Sequence, residues 1–281
     1  MVESALQPRS GSSAKALLLT VLGELVLPHG GTVWTQTVVH LLDRLGVEER
    51  NARQALARLA EQGIVASERH GRRALWRLTP EGRELLETGT ERIYSFGVAT
   101  TEWDDHWLVV LCSVPEEQRA KRHRLRSRLS FEGFGFLGPG VAVTPHLDRE
   151  DAANAILKDL DLVPAAVVLR AEAGTLVPAT EVLHRAWDLD DLADQYRAFD
   201  ERFRRRSPTG EEAQLTALVE LVHAWRRFPF VDPEIPDRLL PRTWPGRRAK
   251  ALFDDRHAAW SPAARRRYRS LETANGSVYS E

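Results

Sequence analysis

Cysteine is nearly missing from this 281-residue sequence. The single Cys112 excludes an internal disulfide and any zinc site built from several cysteines, and it suits a reducing cytosol. Net charge is nearly missing as well. With 39 Lys and Arg against 40 Asp and Glu the chain carries −1 at neutral pH, so its overall balance points to no polyanionic partner and any such signal must be local. Long apolar runs are also lacking. The best of them, "ALLLTVLGELVLP" at 16–28, holds Glu24 and is too short to span a bilayer, and the opening "MVESALQPRSGSS" has no apolar segment of the kind that leads a secreted chain. A soluble, cytoplasmic protein with no membrane partner is expected. Enzyme signatures do not occur either: there is no P-loop lysine motif, no H-E-x-x-H pair and no G-x-S-x-G elbow, and the nine histidines show no ligand spacing. No catalytic residue, metal or cofactor is assigned, and the chain is expected not to be an enzyme.

One stretch argues otherwise at first sight. The first six residues of "GFGFLGPG" at 133–140 satisfy G-x-G-x-x-G, the spacing that lets a backbone approach a dinucleotide pyrophosphate. That fingerprint works because a strand ends at the first glycine and a helix begins after it, its N–H groups facing the phosphates. Here the order is inverted: a basic helical stretch precedes Gly133, and Pro139, Gly140 and the strand-like "VAVTP" follow. The stretch reads as a glycine-rich turn from helix into strand.

What is present divides into three regions, an α+β arrangement. After a flexible lead at 1–13, helical spacing runs from Ala14 to Leu27, from about Thr35 to Leu45 and from Glu48 to Gln62. Then come two strand-like segments about a turn at 70–73, and a fourth helix capped by Thr79 with Pro80 in its first turn. Helix, helix, helix, hairpin, helix is the order of a winged helix-turn-helix, assigned to 14–97. The second region, 98–178, alternates strands ("WLVVLCSV", "GVAVTPH", "AAVVLRAEA") with helices ("PEEQRAKRHRLRSRLSFEG", "REDAANAILKDL"), a small α/β sandwich. The joint between the two regions is expected around Phe96 to Asp105. A mainly helical domain at 179–270 and a flexible tail at 271–281 complete the chain.

On the helix at 48–62, Ala52, Ala55, Leu56 and Leu59 make one apolar face. The opposite face carries Arg50, Gln54 and Glu61, flanked by Asn51, Arg53 and Arg58. Arginine, asparagine and glutamine bond bidentately to guanine or adenine edges in a major groove, and Arg69, His70, Arg72 and Arg73 at the hairpin tip suit phosphate or minor-groove contacts. From Arg44 to Arg83 nine arginines face five glutamates, a local balance of +4 in a nearly neutral chain. Arginine-rich faces are also commonly just solvated, and Glu48, Glu49 and Glu61 repel phosphate; the order of elements favours DNA.

At these residues a resemblance enters. "ERNARQALARLAEQGIVASERHGRRALWRLTPEGRELL" resembles the DNA-binding region of PaaX-type repressors, which control phenylacetic acid catabolism in bacteria. "WLVVLCSVPEEQRAKRHRLRSRLSFEGFGFLGPGVAVTPH" is similar to that family's ferredoxin-like middle domain, and "AWDLDDLADQYRAF" and "FPFVDPEIPDRLLPRTWPGRRAKALF" extend the likeness over about 14–260. The resemblance implies a homodimeric repressor on double-stranded operator DNA, released by an aryl-CoA thioester such as phenylacetyl-CoA. By position it implies base readout by Arg50, Asn51, Arg53, Gln54 and Arg58 and wing contacts by Arg72 and Arg73, with Arg69 beside them.

Two further readings compete. The ferredoxin-like fold also occurs in a CRISPR-adaptation nuclease family, where an Asp ending the first strand binds metal; here Ser113 stands in that place, a poor ligand for a hard cation. A constitutive DNA-binding protein without an effector is the other. For an effector, the helix at 115–130 offers Arg122 and Arg126 among six cations that could instead contact DNA or face water. Arg247 and Arg248 of "PGRRAK" are a second phosphate candidate, and Trp225 and Trp244 belong to an aromatic-rich third that could hold an aryl group or simply form core.

Overall fold

A computed structural model describes residues 13–97 and 102–276. The expected lead at 1–12, the end of the expected tail at 277–281 and part of the expected joint, 98–101, lie outside the described residues. Contacts group the chain into two compact units, one of Met1–Phe96, Phe199–Arg227 and Ala249–Glu281, the other of Gly97–Ala198 and Phe228–Arg248. The helical C-terminal third contributes to both.

In the first unit, helix α1 (Ala14–Val21) starts at Ser13, whose hydroxyl accepts from the Ala16 N–H at 3.2 Å. Its apolar run stays helical but changes pitch, widening to a π turn over Leu22–Val26 and tightening over Leu27–His29, until Gly30 at φ 94° ends it. The wide turn explains how Glu24 sits inside an apolar segment. Its buried carboxylate accepts from the Tyr94 phenol and lies 3.1 Å from His257 Nε2, so the charge is satisfied within the core. Strand β1 (Thr32–Trp34) leads into α2 (Thr35–Asp43), and a loop turning at Gly46 leads into α3 (Glu49–Glu61). Leu18 and Leu22, Val38 and Leu42, and Ala52, Leu56 and Leu59 are fully buried. Each leucine so buried contributes about 1.5–3 kcal/mol.

Strands β2 (Val65–His70) and β3 (Arg73–Leu78) form an antiparallel hairpin, and β1 pairs with the other side of β3. Helix α4 (Pro80–Ser95) begins where the sequence places it, with the Thr79 hydroxyl accepting from the Gly82 N–H and Pro80 in the first turn.

The second unit holds β4 (His106–Cys112), α5 (Arg119–Phe131), β5 (Gly135–Gly138), β6 (Val141–Thr144), α6 (Glu150–Asp159) and β7 (Ala166–Glu172). The strands form one antiparallel sheet in the order β5-β6-β4-β7, the connectivity of a split β-α-β sandwich. Alternation along β4 feeds two cores. Leu108, Val110 and Cys112 face Leu125 and Leu129 of α5 and Ile156 and Leu157 of α6, whereas Trp107 faces Leu183, Leu189, Ile235 and Leu239.

The glycine-rich stretch differs from the expected turn, because Gly135–Gly138 is itself a strand paired with β6. Glycines weaken strand propensity, so nothing local announces it. The turn proper is Pro139–Gly140. Gly140 takes φ 74°, and a Cβ there would lie 2.4 Å from the Cys112 carbonyl oxygen.

Helices α7 (Ala179–Ala186), α8 (Leu189–Arg204), α9 (Glu211–Trp225) and α10 (Pro245–Gly276) complete the chain. In the first unit Trp225 stacks on Phe253 at 4.8 Å, and Glu212 gathers His40 at 2.8 Å and Arg267 at 2.5 Å. Residues 271–276, placed in a loose tail by the sequence reading, are instead the last turns of α10, held by bonds from Glu272 and Asn275.

Candidate nucleic-acid interface

Helix α3 buries Ala52, Ala55, Leu56 and Leu59 and leaves Arg50, Asn51, Arg53, Gln54 and Arg58 exposed. Arg53 is steadied by Glu49, one turn earlier, at 2.7 Å. That pairing leaves its outer edge accessible while fixing its direction.

The hairpin tip is set by Gly71, which takes φ 62° at the first central position of a two-residue turn between His70 and Arg73. A turn of this kind favours glycine because an L side chain there meets its own backbone. Arg69 and Arg72 project from the tip exposed, while Arg73 is half-buried and donates to the Asn275 carbonyl at 2.6 Å. His70 lies 3.2 Å from Glu68 and 5.5 Å from the Trp34 ring.

These elements enclose a concavity of about 450 Å³ lined by Arg53, Arg69, Arg72 and Arg73 together with Thr35, Gln36 and Asn275. Four arginines from a helix and a hairpin thus converge on one space, while Arg50, Asn51, Gln54 and Arg58 continue along the exposed side of α3. Sequence reasoning missed Thr35, Gln36 and Asn275. Thr35 and Gln36 begin α2, where Trp34 offers no side-chain cap and the first N–H groups are the kind that attract anions. Asn275 reaches the site from the far end of the chain, bonding Thr37 Oγ1 at 3.0 Å.

Two carboxylates bear on α2, Glu212 toward its C-terminal end through His40 and Glu272 at Trp34 before its start. Burial pushes Glu212 up, but hydrogen bonds from Arg267 and His40 outweigh it and hold the carboxyl below its usual range. At Glu272 burial prevails and raises the carboxyl, although it accepts from the Trp34 N–H at 3.4 Å.

The effector candidates scatter. Arg122 and Arg126 lie on α5 and share a groove in the second unit. Arg247 pairs with Asp237 at 3.2 Å, and Arg248 is exposed at the last position of the second unit. Trp244 meets the edge of Tyr196 at 6.2 Å in the second unit, whereas Trp225 is fully buried in the first and donates to the Ile93 carbonyl at 3.3 Å. Trp225 is core. Ser113 opens on the groove beside Arg119 and Arg122, a cationic lining that repels a divalent cation rather than collecting one. Among the described residues no three His, Cys, Asp or Glu side chains are grouped to hold a metal ion.

Comparison with known proteins agrees with this layout. The profile described as PaaX-like protein matches residues 13–82, that of the PaaX protein central Cas2-like domain matches 100–183, and that of the PaaX-like protein C-terminal domain matches 187–270. Transcriptional repressor PaaX of Escherichia coli (strain K12) is 27% identical over 268 residues, spanning 92% of this chain and 82% of that one. A solved structure, the uncharacterized protein Rv0674 from Mycobacterium tuberculosis, shares the fold with a TM-score of 0.62 at 20% identity, covering 92% of this chain and 99% of its own. Matched in order by all three profiles over almost its whole length, the chain belongs to the PaaX-like protein family.

Proposed function

We propose that this protein is a transcriptional repressor that binds double-stranded operator DNA through a winged helix-turn-helix formed by α2, α3 and the β2–β3 hairpin. The observation that carries the reading is the convergence of Arg53, Arg69, Arg72 and Arg73 on one concavity beside the exposed polar row of α3. Arg50, Asn51, Arg53, Gln54 and Arg58 read base edges, and the hairpin tip holds phosphates. The Escherichia coli relative named as a transcriptional repressor supports the same reading. One helix reads only a few base pairs, so a two-fold dimer on half-sites spaced by about 34 Å, one helical turn, is the working form.

The regulated genes belong to catabolism of phenylacetate or a related aromatic acid in the cytoplasm, and an aryl-CoA thioester such as phenylacetyl-CoA releases the operator. Release requires that the ligand bind the DNA-incompetent arrangement more tightly; a hundredfold loss of operator affinity needs about 2.7 kcal/mol of coupling. Fluorescence anisotropy on DNA from upstream of the protein's own gene, with phenylacetyl-CoA and with free phenylacetate, tests both halves. Specific binding released by the thioester alone is the expected result. Specific binding indifferent to both leaves a constitutive DNA-binding protein, and absence of specific binding overturns the repressor reading.

A further inference from the structure

Helix α5 carries six cations, Arg119, Lys121, Arg122, Arg124, Arg126 and Arg128, and the structure sorts them by flank. Lys121 and Arg128 are neutralised from the end of α6: Lys121 lies 3.9 Å from Asp161 and Arg128 lies 3.0 Å from Asp159. Arg119, Arg122 and Arg126, at i, i+3 and i+7, share another face and line a groove of about 740 Å³ between α5 and the β5–β6 hairpin. Here one carboxylate is at hand, Glu116, 2.6 Å from Arg122. Among the described residues Arg119 has no ion pair, and the Arg126 guanidinium lies over the Phe136 ring, 4.0 Å from its centroid.

The floor between these cations and the sheet is apolar, made by Val110, Cys112, Leu129, Phe136 and Ala142. Val110, Cys112, Leu129 and Ala142 already belong to the sandwich core, so the apolar surface that the groove leaves wet is that of half-buried Phe136 and exposed Leu137, beneath like charges left close. One occupant relieves both, and the volume lies within the range of small-molecule sites, about 300–1,000 Å³.

We propose that this groove binds a small amphipathic anion, its aryl or short acyl group on the floor around Cys112 and Phe136 and its phosphate or carboxylate groups on Arg119, Arg122 and Arg126. The inference rests on the ligand-responsive reading above and gives it a place in the second unit. Cys112 is the chain's single cysteine, so its alkylation reports on this groove alone. Burial raises its thiol, which makes the reaction slow and easily timed.

The experiment follows labelling of Cys112 by N-ethylmaleimide in the full-length protein by mass spectrometry, alone and with phenylacetyl-CoA, CoA or phenylacetate, beside calorimetric titration of each. Expected are at least fivefold protection by the thioester and weaker protection by either fragment. CoA as the better fragment assigns the site to phosphates, phenylacetate as the better one to a carboxylate. Arg119→Glu with Arg126→Glu, both exposed positions, is expected to abolish protection and weaken calorimetric affinity at least tenfold, protection being read against the variant's own unliganded labelling rate, which the two added carboxylates lower by disfavouring the thiolate. Thioester that binds by calorimetry without protecting Cys112, or whose affinity survives the double reversal, overturns the proposal. Should the thioester give no heat, the effector reading fails, and the groove is then judged with 8-anilinonaphthalene-1-sulfonate, an aryl anion: protection of Cys112 that the double reversal removes sustains it, and no protection sinks it.

Discussion

Helices α3 and α5 are both 13 residues long and rich in arginine, yet they are built for different surroundings. Helix α3 buries four apolar residues along one face and presents its polar row outward beside the hairpin tip. Helix α5 anchors itself with Leu125 and Leu129 alone, and its cations divide between acidic partners near the end of α6 and a groove with an apolar floor. On the proposed reading, arginine content does not distinguish a reader of DNA from a ligand site; the surface beside the arginines does. A polar, open concavity accepts a phosphate backbone that keeps much of its water, while an apolar floor rewards a ligand that brings apolar surface of its own.

The strongest way to break this comparison is charge reversal on each helix in turn. Arg50→Glu with Arg53→Glu is expected to weaken binding to a specific DNA by about a thousandfold, since each bidentate base contact contributes about 1–3 kcal/mol and two like charges are added. Arg119→Glu with Arg126→Glu, which changes net charge equally, is expected to alter unliganded DNA affinity less than threefold. Anisotropy titrations at one fixed salt concentration measure both. Equal losses would mean that net charge, not the site, governs binding.

The two units also answer acid in opposite senses. In the first, burial together with the charges of Arg226 and Arg202 pushes His223 down to about 4. Its folded value lies below the unfolded value, so the stability it confers is full above about pH 6.5 and is lost as pH falls toward 4. In the second unit burial pushes Asp232 up to about 6, although the Tyr196 phenol donates to it at 2.5 Å. A raised carboxyl confers most stability below about pH 3.9 and loses it as pH climbs through 6. From pH 7 to pH 5 His223 should cost the first unit roughly 2 kcal/mol, part of it offset by the raised Glu272 carboxyl, and Asp232 should stabilise the second by roughly 1 kcal/mol. Urea titrations read unit by unit through hydrogen exchange would show this, and His223→Gln and Asp232→Asn should each flatten one slope. Parallel slopes in the two units would refute it.

Much of this organisation is legible from local pattern. The spacing of Ala52, Ala55, Leu56 and Leu59 marks the buried face of α3, Thr79–Pro80 marks the start of α4, and the apolar run ending at Cys112 marks a central strand of an α+β sandwich. What escapes is whatever depends on distant partners. Strand β5 exists because β6 pairs with it, against the propensity of its glycines. Asn275 and Glu272 reach the β1–α2 junction across 238 positions of sequence, and no local rule signals that docking. Trp225 and Trp244 are alike as letters, and only packing separates a core ring from a partly exposed one. The sorting of the α5 cations is likewise set by Asp159 and Asp161, residues of another element.

The two hairpin turns sharpen the comparison at a smaller scale. Gly71→Ala at φ 62° should cost about 1–2 kcal/mol of stability and loosen the tip that presents Arg69 and Arg72. Affinity should then fall several-fold on every DNA sequence alike, with a flatter salt dependence, because phosphate contacts rather than base contacts are disturbed. A loss confined to the specific operator would move Arg72 from phosphate to base readout. Gly140→Ala in the second unit, with its Cβ against the Cys112 carbonyl, should leave unliganded DNA binding unaffected while distorting the groove.

The smallest expected effect is also the most direct measure of how α5 divides its charge. Arg128, 3.0 Å from Asp159, is an exposed ion pair of the kind that contributes about 0.2–1 kcal/mol, so Arg128→Ala should lower the stability of the second unit by a few tenths. Arg119 has no carboxylate partner among the described residues and shares its face with Arg122 and Arg126, so Arg119→Ala removes repulsion and should leave stability unchanged or slightly raised in the absence of ligand. The difference in sign is the informative quantity, since both changes delete the same side chain from the same helix. It should shrink as sodium chloride rises toward 1 M, where the screening length falls to about 3 Å. Equal destabilisation by both substitutions at low salt would mean that the groove flank is as well compensated as the other, and the excess positive charge on which the contrast between the helices depends would be gone.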